Sequence, residues 1–103
     1  MTSLPHITDV PSLGAHDLAV LDQVHALLAR HGMEHRFSIG LAHQHFALAE
    51  EEVLCEFEGE RELLTRPVKK SELPAGAGAA EWLLTDDGPR PLRWCYSNLG
   101  PHA

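Results

Sequence analysis

Between Phe37 and Phe57 the chain reads FSIGLAHQHFALAEEEVLCEF, a stretch that narrows the possible folds more than any other. His35, Phe37, Ile39 and Leu41 share one parity, while Arg36, Ser38, Gly40 and Ala42 share the other. That period of two predicts a half-buried strand with its apolar parity inward. Past the acidic run Glu50-Glu51-Glu52 the alternation returns, with Val53, Cys55 and Phe57 set against Glu52, Glu56 and Glu58. Two such segments predict a hairpin turning near Ala47 to Glu51. The competing reading makes Leu41 to Phe57 a helix, since Ala, Leu and Glu are good helix formers. A helix, however, would scatter those acids around its circumference.

Upstream, Pro5 and Pro11 make residues 1–11 an extended lead-in. Leu18, Leu21, Val24 and Leu28, widened by Val20 and Leu27, recur at helical spacing and predict an amphipathic helix over Leu18–His31 with a buried stripe. Ser12 or Asp17 can cap or charge its start, and Gly32 supplies the left-handed residue that ends it. Downstream, Gly59-Glu60 marks a reversal, and Glu62–Val68 (ELLTRPV) reads as a further strand whose Pro67 suits an edge. KKSELPAGAGAA reads as a surface loop. EWLL and PLRWCYS then flank Asp86-Asp87-Gly88-Pro89-Arg90, a strong turn signal. Pairing about that loop's centre sets Trp82 opposite Trp94 and Leu84 opposite Leu92.

This order predicts an α+β fold: an N-terminal amphipathic helix, then about five short strands in a bent antiparallel sheet or small barrel. A chain of 103 residues is sized for one domain, residues 1–103, with 98–103 as an unpatterned tail. From Leu18 to Ser97, helix-then-strands order resembles the Sm-like family of small barrels. The resemblance implies RNA binding through an Asp/aromatic/Asn loop and an Arg-Gly loop. This sequence has no Arg-Gly pair and its one asparagine is Asn98, so those residues do not carry over. His43-x-His45 followed by Glu50 also partly resembles the first metal motif of cupins. The spacing of Gly40 and Gly59 departs from it, and the one later histidine is His102.

The net charge of −7 disfavours general attraction to nucleic acid or anionic lipid. No apolar run reaches the length of a membrane span and MTSLPHITDV has no export features, so a cytoplasmic protein with reduced cysteines is expected.

Eight histidines raise the question of a metal such as zinc. If the hairpin is centred on Ala49, His45 faces Val53 and His43 faces Cys55. Two imidazoles and a thiolate then converge on one face, with Glu50 or a water as the fourth donor. The alternative is a packed or surface pair, with Cys55 a small buried hydrophobe. No Gly-x-Ser-x-Gly context or phosphate loop is present. The expectation is therefore a non-enzymatic binding or assembly domain, without a cofactor, forming a homodimer or other homo-oligomer. A metal-dependent enzyme or sensor centred on His43 and His45 is the alternative, and an Sm-like RNA-binding module the third reading.

Overall fold

The computed structural model describes residues 4–97. The expected tail and the first three residues of the lead-in lie outside that range. Contacts divide the chain into two units, one up to Phe46 and one from Ala47 on.

In the first unit a short 3-10 turn, Ile7–Asp9, precedes the helix α1, Ala15–Arg30. The helix starts three residues before the apolar stripe does, because Gly14 takes the N-cap position and the Asp17 carboxylate accepts the Gly14 N–H at 2.8 Å. That contact satisfies one main-chain donor and sets a negative charge in the first turn, where the helix dipole favours it. At the other end Gly32 has φ 69°, Gly32 N–H donates to the Ala29 carbonyl and Met33 N–H to the Leu28 carbonyl. This is the Schellman closure, and Gly32 is the residue that makes it inexpensive. The stripe is less covered than its spacing predicts: Leu21, Val24 and Leu28 are half-buried, while Leu18, Val20 and Leu27 are exposed.

The strand expected over 35–45 does not form. Residues 37–43 carry no regular structure, and Phe37, Ile39 and Leu41 are all exposed. A strand needs a partner for its main-chain groups, and among the described residues pairing here is confined to a single parallel bridge between His6 and Gln44. Ile7 N–H donates to the Gln44 carbonyl at 3.1 Å and Gln44 N–H to the Pro5 carbonyl at 2.8 Å.

The second unit is a sheet of four strands: β1, Glu52–Glu58; β2, Leu63–Lys69; β3, Gly78–Thr85; and β4, Gly88–Tyr96. Their order is β2-β1-β4-β3, an open sheet with β2 and β3 at its edges. The α+β class holds. Among the described residues there are four strands where about five were expected, and β1 and β4 run parallel inside an otherwise antiparallel set. β1 and β2 form the reversal expected at Gly59, with Arg61 at φ 58° in its turn. Pro67 sits on an edge strand, where its missing N–H costs no ladder bond that a central strand would need.

The β3–β4 hairpin forms with a different register. Its turn is the two-residue Asp86-Asp87, so Thr85 pairs with Gly88, and Gly88, Pro89 and Arg90 belong to β4. Gly88 takes φ 109°, and Thr85 Oγ1 donates to the Gly88 carbonyl at 2.8 Å. Trp82 therefore faces Pro91, Leu84 faces Pro89, and Ala79 takes the place opposite Trp94. An irregularity between Ala79 and Trp82 shifts the register again.

Cross-strand pairing sorts the sheet into two faces. Val53, Cys55 and Phe57 share one with Val68, Arg66 and Leu64 of β2 and with Trp94 and Tyr96 of β4. Val53 and Cys55 are the buried hydrophobic residues among those described, Cys55 at 0% exposure. Phe57 and Tyr96 meet edge to face at 6.1 Å, and the Arg66 guanidinium lies 5.1 Å from the Phe57 ring centre. The opposite face carries Glu56, Glu58, Thr65, Arg93 and Cys95.

Candidate functional site

The two histidines singled out by sequence do stand together, though on irregular chain and not on a strand. The His43 and His45 rings are 5.2 Å apart, centre to centre, at an interplanar angle of 86°. His43 Nδ1 lies 2.7 Å from the Leu41 carbonyl. A carbonyl can only accept, so Nδ1 carries the hydrogen and, in the neutral ring, Nε2 holds the free lone pair. A third imidazole, not expected from the sequence, joins them: His6 meets His45 at 5.9 Å and 80°. His6 is held by Thr8, whose Oγ1 is 2.8 Å and whose N–H is 3.2 Å from His6 Nδ1.

Cys55 and Glu50 are placed differently from the expected hairpin. At Cys55, β1 pairs with Arg66 of β2 on one side and Trp94 of β4 on the other. A strand has two edges, and with both occupied there is none left for a strand bearing His43. The predicted pairings of His43 with Cys55 and His45 with Val53 are thus replaced. Burial, the largest influence, pushes the Cys55 thiol above its ordinary value, and the neighbouring Cys95 adds to the rise while Arg66 opposes it. Such a thiol keeps its proton and is a poor ligand or nucleophile. Glu50 is exposed and lines a shallow depression with Glu51, Lys70 and Ser71. Among the described residues, no group of three or more His, Cys, Asp or Glu side chains stands ready to hold a metal ion.

A second cluster lies on the polar face of the sheet. Arg93 Nη1 donates to Glu56 Oε1 at 3.0 Å, and Arg93 Nε lies 3.6 Å from Glu81 Oε1. Thr65 Oγ1 donates to Glu56 Oε2 at 3.5 Å, and Cys95 Sγ sits 3.5 Å from Arg93 Nη1 and 3.7 Å from Glu56 Oε1. With two carboxylates beside it, Arg93 is already neutralised, which leaves it little attraction for an anionic ligand. Cys95 also titrates above its ordinary value, chiefly because it is desolvated; Arg93 lowers it and Glu56 raises it. The cluster thus joins β1 to β4 and β3 and holds no activated nucleophile.

Sequence reasoning missed both His6 and this cluster, for different reasons. Arg93-x-Cys95 on a strand puts both side chains on one face, so half of the cluster was readable from spacing. Nothing local connects residue 6 with residue 44; their bridge is a tertiary event.

Among the described residues, no helix is long and apolar enough to cross a membrane. Comparison with protein families, curated proteins and solved structures finds nothing that matches this chain.

Proposed function

We propose that the chain is a non-enzymatic assembly domain that pairs with a second copy of itself along the outer edge of β3. The observation that carries this reading is the chemistry of that edge. β3 is an edge strand of an open sheet, and its Trp82 and Leu84 are 43% and 82% exposed. Unpaired edges bearing apolar side chains are templates for another strand. The other edge, β2, exposes Leu63 and Leu64 at 64% and 52%, but it carries Pro67, which cannot donate to a neighbour, between Arg66 and Val68 and ends on Lys69. β3 offers one charged residue, Glu81, and that carboxylate faces Arg93 of its own sheet. Sedimentation of the purified chain from low to high micromolar concentration tests the reading. A concentration-dependent shift from monomer to a closed oligomer is expected, and a strictly monomeric species throughout would overturn it.

A second reading, binding of a divalent transition-metal ion by His43 and His45, is favoured by one observation. The two rings touch, and His43 is held in the tautomer that leaves Nε2 free. Elemental analysis of protein purified without tag or chelator tests this reading, together with Zn²⁺ titration of the wild type and of His43→Ala. Metal below a small fraction of one ion per chain, with no difference between the two proteins, would remove it.

A further inference from the structure

We propose that His6 is a third imidazole of a cation site with His43 and His45, a site for a late first-row divalent ion such as Zn²⁺. The inference rests on the second reading above and adds a ligand from a distant part of the chain.

Three observations converge on it. The first is placement. The main-chain bonds from Ile7 N–H to the Gln44 carbonyl and from Gln44 N–H to the Pro5 carbonyl bracket His6 and hold it beside the residue that separates His43 from His45. The second is spacing. Zinc binds an imidazole nitrogen at about 2.0–2.1 Å, which sets the ring centres of two ligands in a tetrahedral group roughly 5 Å apart. The His43–His45 separation is 5.2 Å and the His6–His45 separation 5.9 Å.

The third observation is the anchoring of the far nitrogens. Metal-ligating imidazoles commonly donate the other ring N–H to an oxygen, which fixes ring orientation and tautomer. His43 Nδ1 has the Leu41 carbonyl at 2.7 Å, and His6 Nδ1 has Thr8 Oγ1 at 2.8 Å. In both residues the anchor lies two positions away in sequence and engages Nδ1, and in His43 this leaves Nε2 as the nitrogen to offer. His6 Nδ1 also receives the Thr8 N–H at 3.2 Å, a contact that suits the other tautomer. Cation binding at Nε2 would move the ring hydrogen to Nδ1 and turn the Thr8 hydroxyl into the acceptor.

The three side chains do not yet stand in ligand geometry. The ion has to close the set, and His45 is the ring placed to turn, being exposed and held among the described residues by ring contacts alone. An all-imidazole set selects zinc, copper, nickel or cobalt over calcium or magnesium, which take oxygen donors.

The test is calorimetric titration of the untagged 103-residue chain with Zn²⁺. It is paired with Co²⁺ addition, followed by imidazole resonances in NMR spectra. One Zn²⁺ per chain is expected, with His6→Ala, His43→Ala and His45→Ala each weakening binding at least about tenfold, and Thr8→Val weakening it by about tenfold through loss of the anchor. His35→Ala is the control, since that side chain is 96% exposed and lies outside the cluster. Co²⁺ should broaden or shift the resonances of His6, His43 and His45 together. If His43→Ala and His45→Ala weaken binding while His6→Ala binds like the wild type, the third ligand is overturned and the two-histidine reading stands. If Zn²⁺ does not saturate at one site, or if His35→Ala weakens it as much as the others, both fall. Circular dichroism of each variant separates loss of a ligand from loss of fold.

Discussion

Arg93 of β4 and Glu56 of β1 meet at 3.0 Å across the parallel strand pair, with both side chains roughly three-quarters covered. Their backbones are not direct partners, since Arg93 pairs with Leu54 and Glu56 with Cys95, so the bond runs diagonally over the polar face. Glu81 of β3 and Thr65 of β2 add contacts from the two remaining strands, and the cluster thereby touches all four. A charge-assisted bond in partial shelter is worth more than an exposed surface pair, and removing one partner strands the other.

Arg93→Ala should therefore destabilise the fold by about 1–2 kcal/mol, with Glu56→Ala costing a similar amount. Because both variants break the same bond, their effects should not add. A double-mutant cycle in urea should return a coupling of about 1 kcal/mol, and a coupling near zero would show that the pair contributes nothing to stability.

The two thiols predict a loss of stability in alkali. Both Cys55 and Cys95 titrate above the ordinary value of 9.0 when folded, mainly through burial. A thiol whose folded value is raised favours the native state while protonated, so its contribution is complete below the unfolded value and is lost as pH rises through the folded one. Urea midpoints should fall from pH ~8 to ~10, and Cys95→Ala should show a smaller fall over that window. Labelling by a thiol reagent at neutral pH should reach Cys95 slowly and Cys55 on unfolding, since Cys55 has 0% exposure.

Substitution at the β3 edge separates assembly from folding. Leu84 is 82% exposed, so Leu84→Lys removes little burial within the chain but sets a charge on the proposed pairing edge. Its unfolding free energy in urea, measured at a concentration where both proteins are monomeric, should match the wild type within about 0.5 kcal/mol. Its sedimentation coefficient should stay at the monomer value where the wild type associates. Equal association of the two proteins would move the interface elsewhere.

Two glycines in the first unit predict opposite outcomes. Gly32 has φ 69° with open space where a Cβ would lie, so Gly32→Ala meets no neighbour and pays only for the left-handed backbone, about 1–2 kcal/mol. Gly40 is equally open and has no positive φ. Gly40→Ala should leave stability unchanged or raise it by about 0.4–1 kcal/mol through the unfolded chain. Thermal unfolding of the two variants checks both signs.

What could be read from the sequence follows the range of the interactions involved. Helix α1 and its Gly32 stop, the β1–β2 reversal at Gly59 and the hairpin around Asp86-Asp87 all rest on neighbours a few residues apart, and all three are present. The register of that hairpin shifted because DDGPR reads equally as a five-residue loop or as a two-residue turn followed by strand. Only the main-chain geometry, with Gly88 at φ 109°, decides between them. The alternation of Phe37, Ile39 and Leu41 misled because period two states which side chains share a face, not whether a partner edge exists. β4 already occupies the edge of β1 that such a strand would have needed. His43 and His45 were visible as a pair, but His6 enters by a contact 38 positions along the chain that no spacing rule encodes.

The position of β4 orders events in time. It is the last of the four strands in sequence, residues 88–96, yet it sits between β1 and β3. During synthesis β1 and β2 can close as a local hairpin, but β1 must keep one edge open and β3 must wait unpaired until β4 emerges. β4 then closes on β3 as a local antiparallel hairpin and joins β1 in parallel across a much longer stretch of chain. Local hairpins form in microseconds, whereas pairing across some forty residues is entropically slower. A chain that ends before residue 88 therefore carries two unfinished sheet edges at once, those of β1 and β3, and only residues 88–96 close both.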